Sequence, residues 1–225
     1  MIKSLRFLKF LILACALLPL TAGAEDIGNL TYSLNEENLT ATVTGWAGES
    51  AAIDIVIPES IEKEGKIYSV TAISWGAFRE NPYLESVSIP NSVVSIGNGV
   101  FRYCTKLSSI KMSENVEEIG EECFQYCGQL EEINLSSSLK IIGGGAFSSC
   151  GKLTSINLPD GLTVIKDRTF EYCSSLTSFE IPASVTTIGD RVFQGCGKLR
   201  IITIFSDNIT FGREVFSGNF AIFCP

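Results

Sequence analysis

The chain has 225 residues, 45% of them hydrophobic, which is enough to build a continuous core and argues against disorder. Its 17 basic and 25 acidic residues give a net charge of −8, which excludes nucleic acid and anionic membrane surfaces as partners. It contains no histidine, and this removes Ser-His-Asp and Cys-His catalysis together with the usual histidine-bearing zinc sites.

The first 24 residues read MIKSLRFLKFLILACALLPLTAGA. Cationic Lys3, Arg6 and Lys9 precede an apolar run over residues 10–20, and the small residues Ala22, Gly23 and Ala24 follow. This is the layout of a secretory signal peptide cut after Ala24. The alternative is a cut before Cys15 with lipid attached there, since Ile12-Leu13-Ala14-Cys15 loosely resembles a lipobox; the apolar run continuing past Cys15 weighs against it. Loss of the three cationic residues leaves 14 basic against 25 acidic side chains, a net charge of −11. No later apolar run is long enough to cross a bilayer, so no transmembrane span is expected after the leader is removed.

Residues 25–69 come next. LTYSLNEENLTATVTGW alternates on either side of Asn35-Glu36-Glu37-Asn38 and predicts a β-hairpin that caps the first rung of a regular array. Ile57-Pro58 ends an apolar segment, and residues 62–68 form a small excursion.

Residues 70–208 are six units of 23 residues with no insertion between them. Ile73, Ile96, Ile119, Ile142, Ile165 and Ile188 fill one column, and Phe78, Phe101, Phe124, Phe147, Phe170 and Phe193 a second. Leucine occupies a third from Leu84 to Leu199. Two further columns, from Val87 to Ile202 and from Ile89 to Ile204, lie two residues apart, so segments such as Ser155-Ile156-Asn157-Leu158 predict short strands. The phenylalanine, cysteine and leucine columns step by three, which suits a single helical or 3₁₀ turn. A unit of this size cannot bury its own apolar face, but stacked on copies of itself it can. Glycine follows the isoleucine at Gly97, Gly120, Gly143 and Gly189, where a left-handed or crowded turn is expected. Ser74 and Lys166 take that position in the other two units.

Cys104, Cys127, Cys150, Cys173 and Cys196 share one column. Stacked copies keep adjacent Cβ atoms about 4.8 Å apart and pointing the same way, wider than a disulfide prefers. Five sulfurs in a line also cannot surround one metal ion. A ladder of small buried thiols is the preferred reading, with no metal and no cofactor. In residues 209–225, Phe211, Gly212 and Phe216 keep the phase while Asn219 replaces the cysteine, so this segment reads as a partial or truncated repeat or cap.

The unit V-x-x-I-G-x-x-x-F-x-x-C-x-x-L-x-x-I-x-L-P, written over residues 139–159 as LKIIGGGAFSSCGKLTSINLP, closely resembles the BspA-type leucine-rich repeat. The resemblance covers all six units. It implies a repeat solenoid, a right-handed β/α stack of short strands and short helical or 3₁₀ turns. It further implies a bacterial surface or secreted protein that recognises an extracellular protein or glycan without catalysing a reaction. The expected address is therefore the secreted pool or the cell surface, and the expected role is protein recognition or adhesion. The alternative is a carbohydrate-binding accessory protein of a surface nutrient system.

Two surface columns are candidates for such contacts. Ser88, Lys111, Asn134, Asn157, Glu180 and Thr203 point outward between the two apolar strand columns. Tyr103, Tyr126 and Tyr172 stand just before the cysteines, where Glu80, Ser149 and Gly195 occupy the same column in other units. No residue is assigned to catalysis: the acidic run of the third unit, including Glu117, Glu118, Glu121 and Glu122, reads as solvated surface because neighbouring units carry no matching acids.

Overall fold

A computed structural model describes residues 24–48, 53–218 and 220–225. The proposed leader, Cys15 and Asn219 lie outside the described residues. The first strands are β1 (Glu25–Ile27), β2 (Leu30–Asn35), β3 (Thr40–Trp46), β4 (Asp54–Val56), β5 (Ser60–Lys63) and β6 (Lys66–Ile73). β2 and β3 pair antiparallel across a turn in which Asn35 Oδ1 accepts the Glu37 and Asn38 amides and Leu39 sits at φ 53°. β3 then runs parallel to β6, with Ala41 beside Val70 and Val43 beside Ile73. The hairpin therefore covers the apolar end of the array as an extra rung would.

From Ile73 onward each 23-residue unit forms one rung with three faces. On the first, the Ile column builds short parallel pairs, Ile73 to Ile96, Ile96 to Ile119 and Ile119 to Ile142. On the second, Ile55, Val87 and Ile110 pair in parallel, as do Phe179, Ile202 and Ile222 further along. The third is a turn face. There the amides of Phe101, Phe124, Phe147 and Phe170 donate to carbonyls of the next rung at 2.8–3.1 Å. Inside the prism, rings from Phe78 to Phe216 stack rung on rung, with centroids 5.3–5.8 Å apart and planes within 13°. Such offset pairs add about 0.5–1.5 kcal/mol each beyond simple burial.

The turn face keeps the i to i+3 bonding expected of a single 3₁₀ turn but builds no helix among the described residues. Cys104 N–H donates to Phe101 O and Leu107 N–H to Cys104 O, each a single i to i+3 turn, and among the described residues none of these continues into a helix. The reason lies in two columns of left-handed backbone that bracket each phenylalanine. Gly99, Glu122, Gly145, Arg168 and Arg191 form one; Tyr103, Tyr126, Ser149, Tyr172 and Gly195 form the other. A φ near +60° reverses the chain's curl and stops helical propagation.

The column after the isoleucine is crowded rather than left-handed. A Cβ on Gly120 would lie 2.5 Å from the Asn98 amide nitrogen, a backbone atom of the rung beneath. Where Lys166 replaces glycine the ladder breaks: Gly143 and Gly189 donate to Ile119 and Ile165 at 2.8 Å, but Lys166 makes no such bond, and Ile142 and Ile165 belong to separate sheets. A second departure concerns residues 131–135 and 154–158, the latter containing the expected strand. Ile133 and Ile156 are buried and Asn134 and Asn157 exposed, as strand alternation requires, yet neither segment pairs as a strand. Asparagine is among the poorest strand formers, and it stands at the outward position of both. Through these middle rungs the turn-face bonds and the phenylalanine stack carry the continuity.

Candidate functional site

Burial closes the cysteine column to chemistry. Cys104, Cys127, Cys150, Cys173 and Cys196 are free thiols with at most 1% exposure. Each Sγ donates to the carbonyl of the phenylalanine one rung earlier, at 3.1–3.2 Å. Removal from water raises the Cys104 and Cys196 pKa values to about 12 and pushes Cys127, Cys150 and Cys173 up as well. A thiolate, the nucleophilic and metal-binding form, is therefore strongly disfavoured. Cys123 is buried beside the column, whereas Cys224 is exposed.

The acidic run of the third unit is divided among separate partners. Glu117 pairs with Lys140 at 2.7 Å, Glu122 with Arg102 at 2.6 Å and Glu131 with Lys152 at 3.4 Å. Among the described residues no three His, Cys, Asp or Glu side chains group closely enough to hold a metal ion.

Of the two candidate surfaces, the row Ser88, Lys111, Asn134, Asn157, Glu180 and Thr203 follows the second strand face. Its members are exposed or half-exposed. They share a phase but form little relief: Asn157 and Glu180 border one shallow hollow of about 340 Å³ with Pro182 and Phe205. The tyrosine column lies on the turn face. Tyr103 is half-buried, stacked on Tyr126 at 4.5 Å and with the Arg102 guanidinium over its ring at 5.2 Å. Tyr126 and Tyr172 are 41% and 53% exposed.

Between those two exposed rings the surface sinks into a depression of about 710 Å³. Its origin is the fourth unit. Where neighbouring rungs carry Glu121 and Asp167, Glu122 and Arg168, Gln125 and Glu171, and Tyr126 and Tyr172, this rung has Gly144, Gly145, Ser148 and Ser149. Four adjacent columns lose their side chains together, and the taller neighbours become walls. Asp190 anchors the far wall, accepting the Arg213 amide at 2.8 Å and its guanidinium at 2.9 Å, which hold the carboxyl below its ordinary pKa. Arg191 pairs with Glu214 at 2.8 Å. Glu121, Arg168 and Glu171 form no ion pair among the described residues, and Gln125 Oε1, buried in the wall, has no hydrogen-bond partner there. The Tyr172 ring lines the hollow and lies across Gly195, where any Cβ would fall inside it.

Sequence reasoning named the tyrosines and part of the acidic run but not the hollow. The signal was present in GGGAFSSC, whose small residues depart from four columns at once.

The model of the BspA type leucine rich repeat region matches residues 59–150 and 107–222, with six copies. No curated protein sequence matches the chain. Among solved structures, a leucine-rich repeat protein of T. pallidum is similar, with 30% identity and a TM-score of 0.78, covering 86% of this chain and 88% of its own. A leucine-rich cell surface protein of Faecalibacterium prausnitzii is 30% identical with a TM-score of 0.64, over 82% of this chain and 55% of its own. A Bacteroides ovatus leucine-rich repeat protein, 22% identical over 85% of this chain and 68% of its own, shares the fold at a TM-score of 0.60. The chain belongs to the BspA-type leucine-rich repeat family.

Proposed function

We propose that the protein is a non-enzymatic recognition module, exported to the exterior of a bacterial cell, where its turn face serves as an adhesion or binding surface for an extracellular partner. The observation that carries this is the pair of exposed tyrosines, Tyr126 and Tyr172, flanking a charged hollow that only the stacking of successive rungs creates. Tyrosine and arginine are the residue types that concentrate binding energy at interfaces, and here both project from a backbone held on every rung by hydrogen bonds. The strand row of Ser88 to Thr203 offers small polar groups with no comparable anchor. The leader-like first 24 residues and the family's cell surface member support the location. The buried high-pKa thiols and the dispersed carboxylates favour binding over catalysis.

The test is a binding array carrying extracellular matrix proteins, plasma proteins and glycans, probed with protein beginning at Glu25. Saturable binding that leaves the partner chemically unchanged is expected. Inertness across the array would overturn the reading, as would hydrolysis that disappears in Glu117→Gln or Glu122→Gln.

A further inference from the structure

We infer that the hollow between Tyr126 and Tyr172 is a site for a short neutral saccharide; this rests on the reading of the turn face as a recognition surface and names its ligand class. Four features of the lining converge on that chemistry. The first is size: about 710 Å³ lies within the range of small-ligand clefts, and it is a concavity rather than the broad flat patch of a protein interface. The second is the buried Gln125 Oε1, which lacks a donor among the described residues. A buried acceptor left unmatched is costly, so turning the half-buried Gln125 amide toward the hollow to meet a ligand's hydroxyl or amide proton is favoured.

The third is the charge pattern. Six carboxylates line the hollow (Glu121, Glu122, Asp167, Glu171, Asp190 and Glu214) against three guanidiniums, Arg168, Arg191 and Arg213. The acid excess repels phosphates, sulfates and acidic peptides. Arg168, on the rung next to the small-residue one and without an ion pair among the described residues, in turn disfavours a cationic group beside it. A neutral ligand whose every hydroxyl both donates and accepts matches such a mixed lining: carboxylates and Gln125 take its protons, and the free Arg168 gives one. The fourth is the pair of tyrosines, which line the hollow and are 41% and 53% exposed, offering apolar ring surface to a ligand. A sugar ring presents C–H groups on its faces and hydroxyls around its edge, so it can use both kinds of wall together.

The fold itself provides a clean plug. Ser149 sits at φ 63° in the same column and nearly the same backbone conformation as Tyr103, Tyr126 and Tyr172, at φ 61°, 63° and 59°. Ser149→Tyr therefore fits the backbone without new strain, and its ring would occupy the gap in the tyrosine ladder.

Isothermal titration with cellotetraose, maltotetraose, mannotetraose, xylotetraose and chitotetraose, on protein beginning at Glu25, tests the inference. At least one is expected to bind with a Kd between micromolar and millimolar. Ser149→Tyr should weaken that binding at least tenfold and Gln125→Leu severalfold, with far-UV circular dichroism unchanged and the melting temperature not lowered. Absence of binding to all five, while a protein partner binds and is lost in Ser149→Tyr, would overturn the saccharide assignment and leave the turn face as a protein-recognition surface. Binding of saccharide or protein that Ser149→Tyr leaves intact would overturn the site itself.

Discussion

The thiol of Cys127 donates to the carbonyl oxygen of Phe101, 26 residues earlier, at 3.1 Å, and the same carbonyl accepts the backbone amide of Cys104 from its own rung at 3.0 Å. Both lone pairs of a buried carbonyl are thereby used, one within a rung and one between rungs. This explains why the column holds cysteine: alanine would leave one lone pair unmatched, and valine would add bulk without a donor. The pattern repeats at Cys150, Cys173 and Cys196.

Thiol accessibility is a direct consequence. Ellman's reagent, which reports thiols as they react, should titrate one thiol of residues 25–225 in the native state, Cys224, and six more only after denaturation. Rapid native labelling of Cys104 or Cys150, or a mass-mapped Cys104 to Cys127 disulfide, would contradict the buried ladder.

Alkaline pH should unfold the protein steeply. The buried thiols hold their protons in the folded state to about pH 12 at Cys104 and Cys196, whereas in the unfolded chain they lose them near pH 8.5. A folded-state pKa above the unfolded one means the stability is complete below about pH 8.5 and drains away as the pH climbs toward 12. Each such thiol removes about 1.4 kcal/mol per pH unit in that window, and several titrating together are comparable with the whole stability of a domain, about 5–15 kcal/mol. Far-UV circular dichroism under reducing conditions should show cooperative loss of structure between about pH 9.5 and 11, given those magnitudes. Retention of native signal at pH 11 would count against it.

Replacing one ring of the phenylalanine stack should be expensive. Phe147 is wholly buried between Phe124 and Phe170, with centroids at 5.3 and 5.6 Å, so Phe147→Ala should cost about 3–5 kcal/mol in urea denaturation. A loss below about 1 kcal/mol would show that the stack is not the core.

The glycine column separates two substitutions that look alike on paper. Gly120→Ala drives a Cβ into the backbone of the rung beneath and should destabilise by about 1–3 kcal/mol or more. Lys166→Ala, in the same column but at the break in the ladder, should change stability by no more than about 0.5 kcal/mol. Equal costs would mean that the rungs are evenly spaced there after all.

Much of this was legible in the sequence because a repeat repeats its physics. Invariant isoleucine, phenylalanine and leucine columns could only be stacked core, and the family resemblance carried the solenoid with it. What the columns hid was backbone conformation. Arg168, Tyr126 and Glu122 are not residues that announce a positive φ, so the sequence left open whether the turn would extend into a helix. The lapses in strand pairing at Asn134, Asn157 and Lys166 depend on neighbours one rung away, which a single unit does not display. The hollow at Gly144, Gly145, Ser148 and Ser149 was recorded in the sequence as a departure from consensus, but its depth came from the side chains of the flanking rungs.

The proposed recognition runs through the turn face. Its most direct test compares two sets of variants against whatever partner the binding array yields: Tyr126→Ala with Tyr172→Ala on the turn face, and Lys111→Ala with Glu180→Ala on the strand row. The predicted result is at least a tenfold loss of affinity in the tyrosine pair and less than a twofold change in the strand-row pair, with equal melting temperatures. Full affinity in the tyrosine pair, with loss in the strand-row pair, would contradict it.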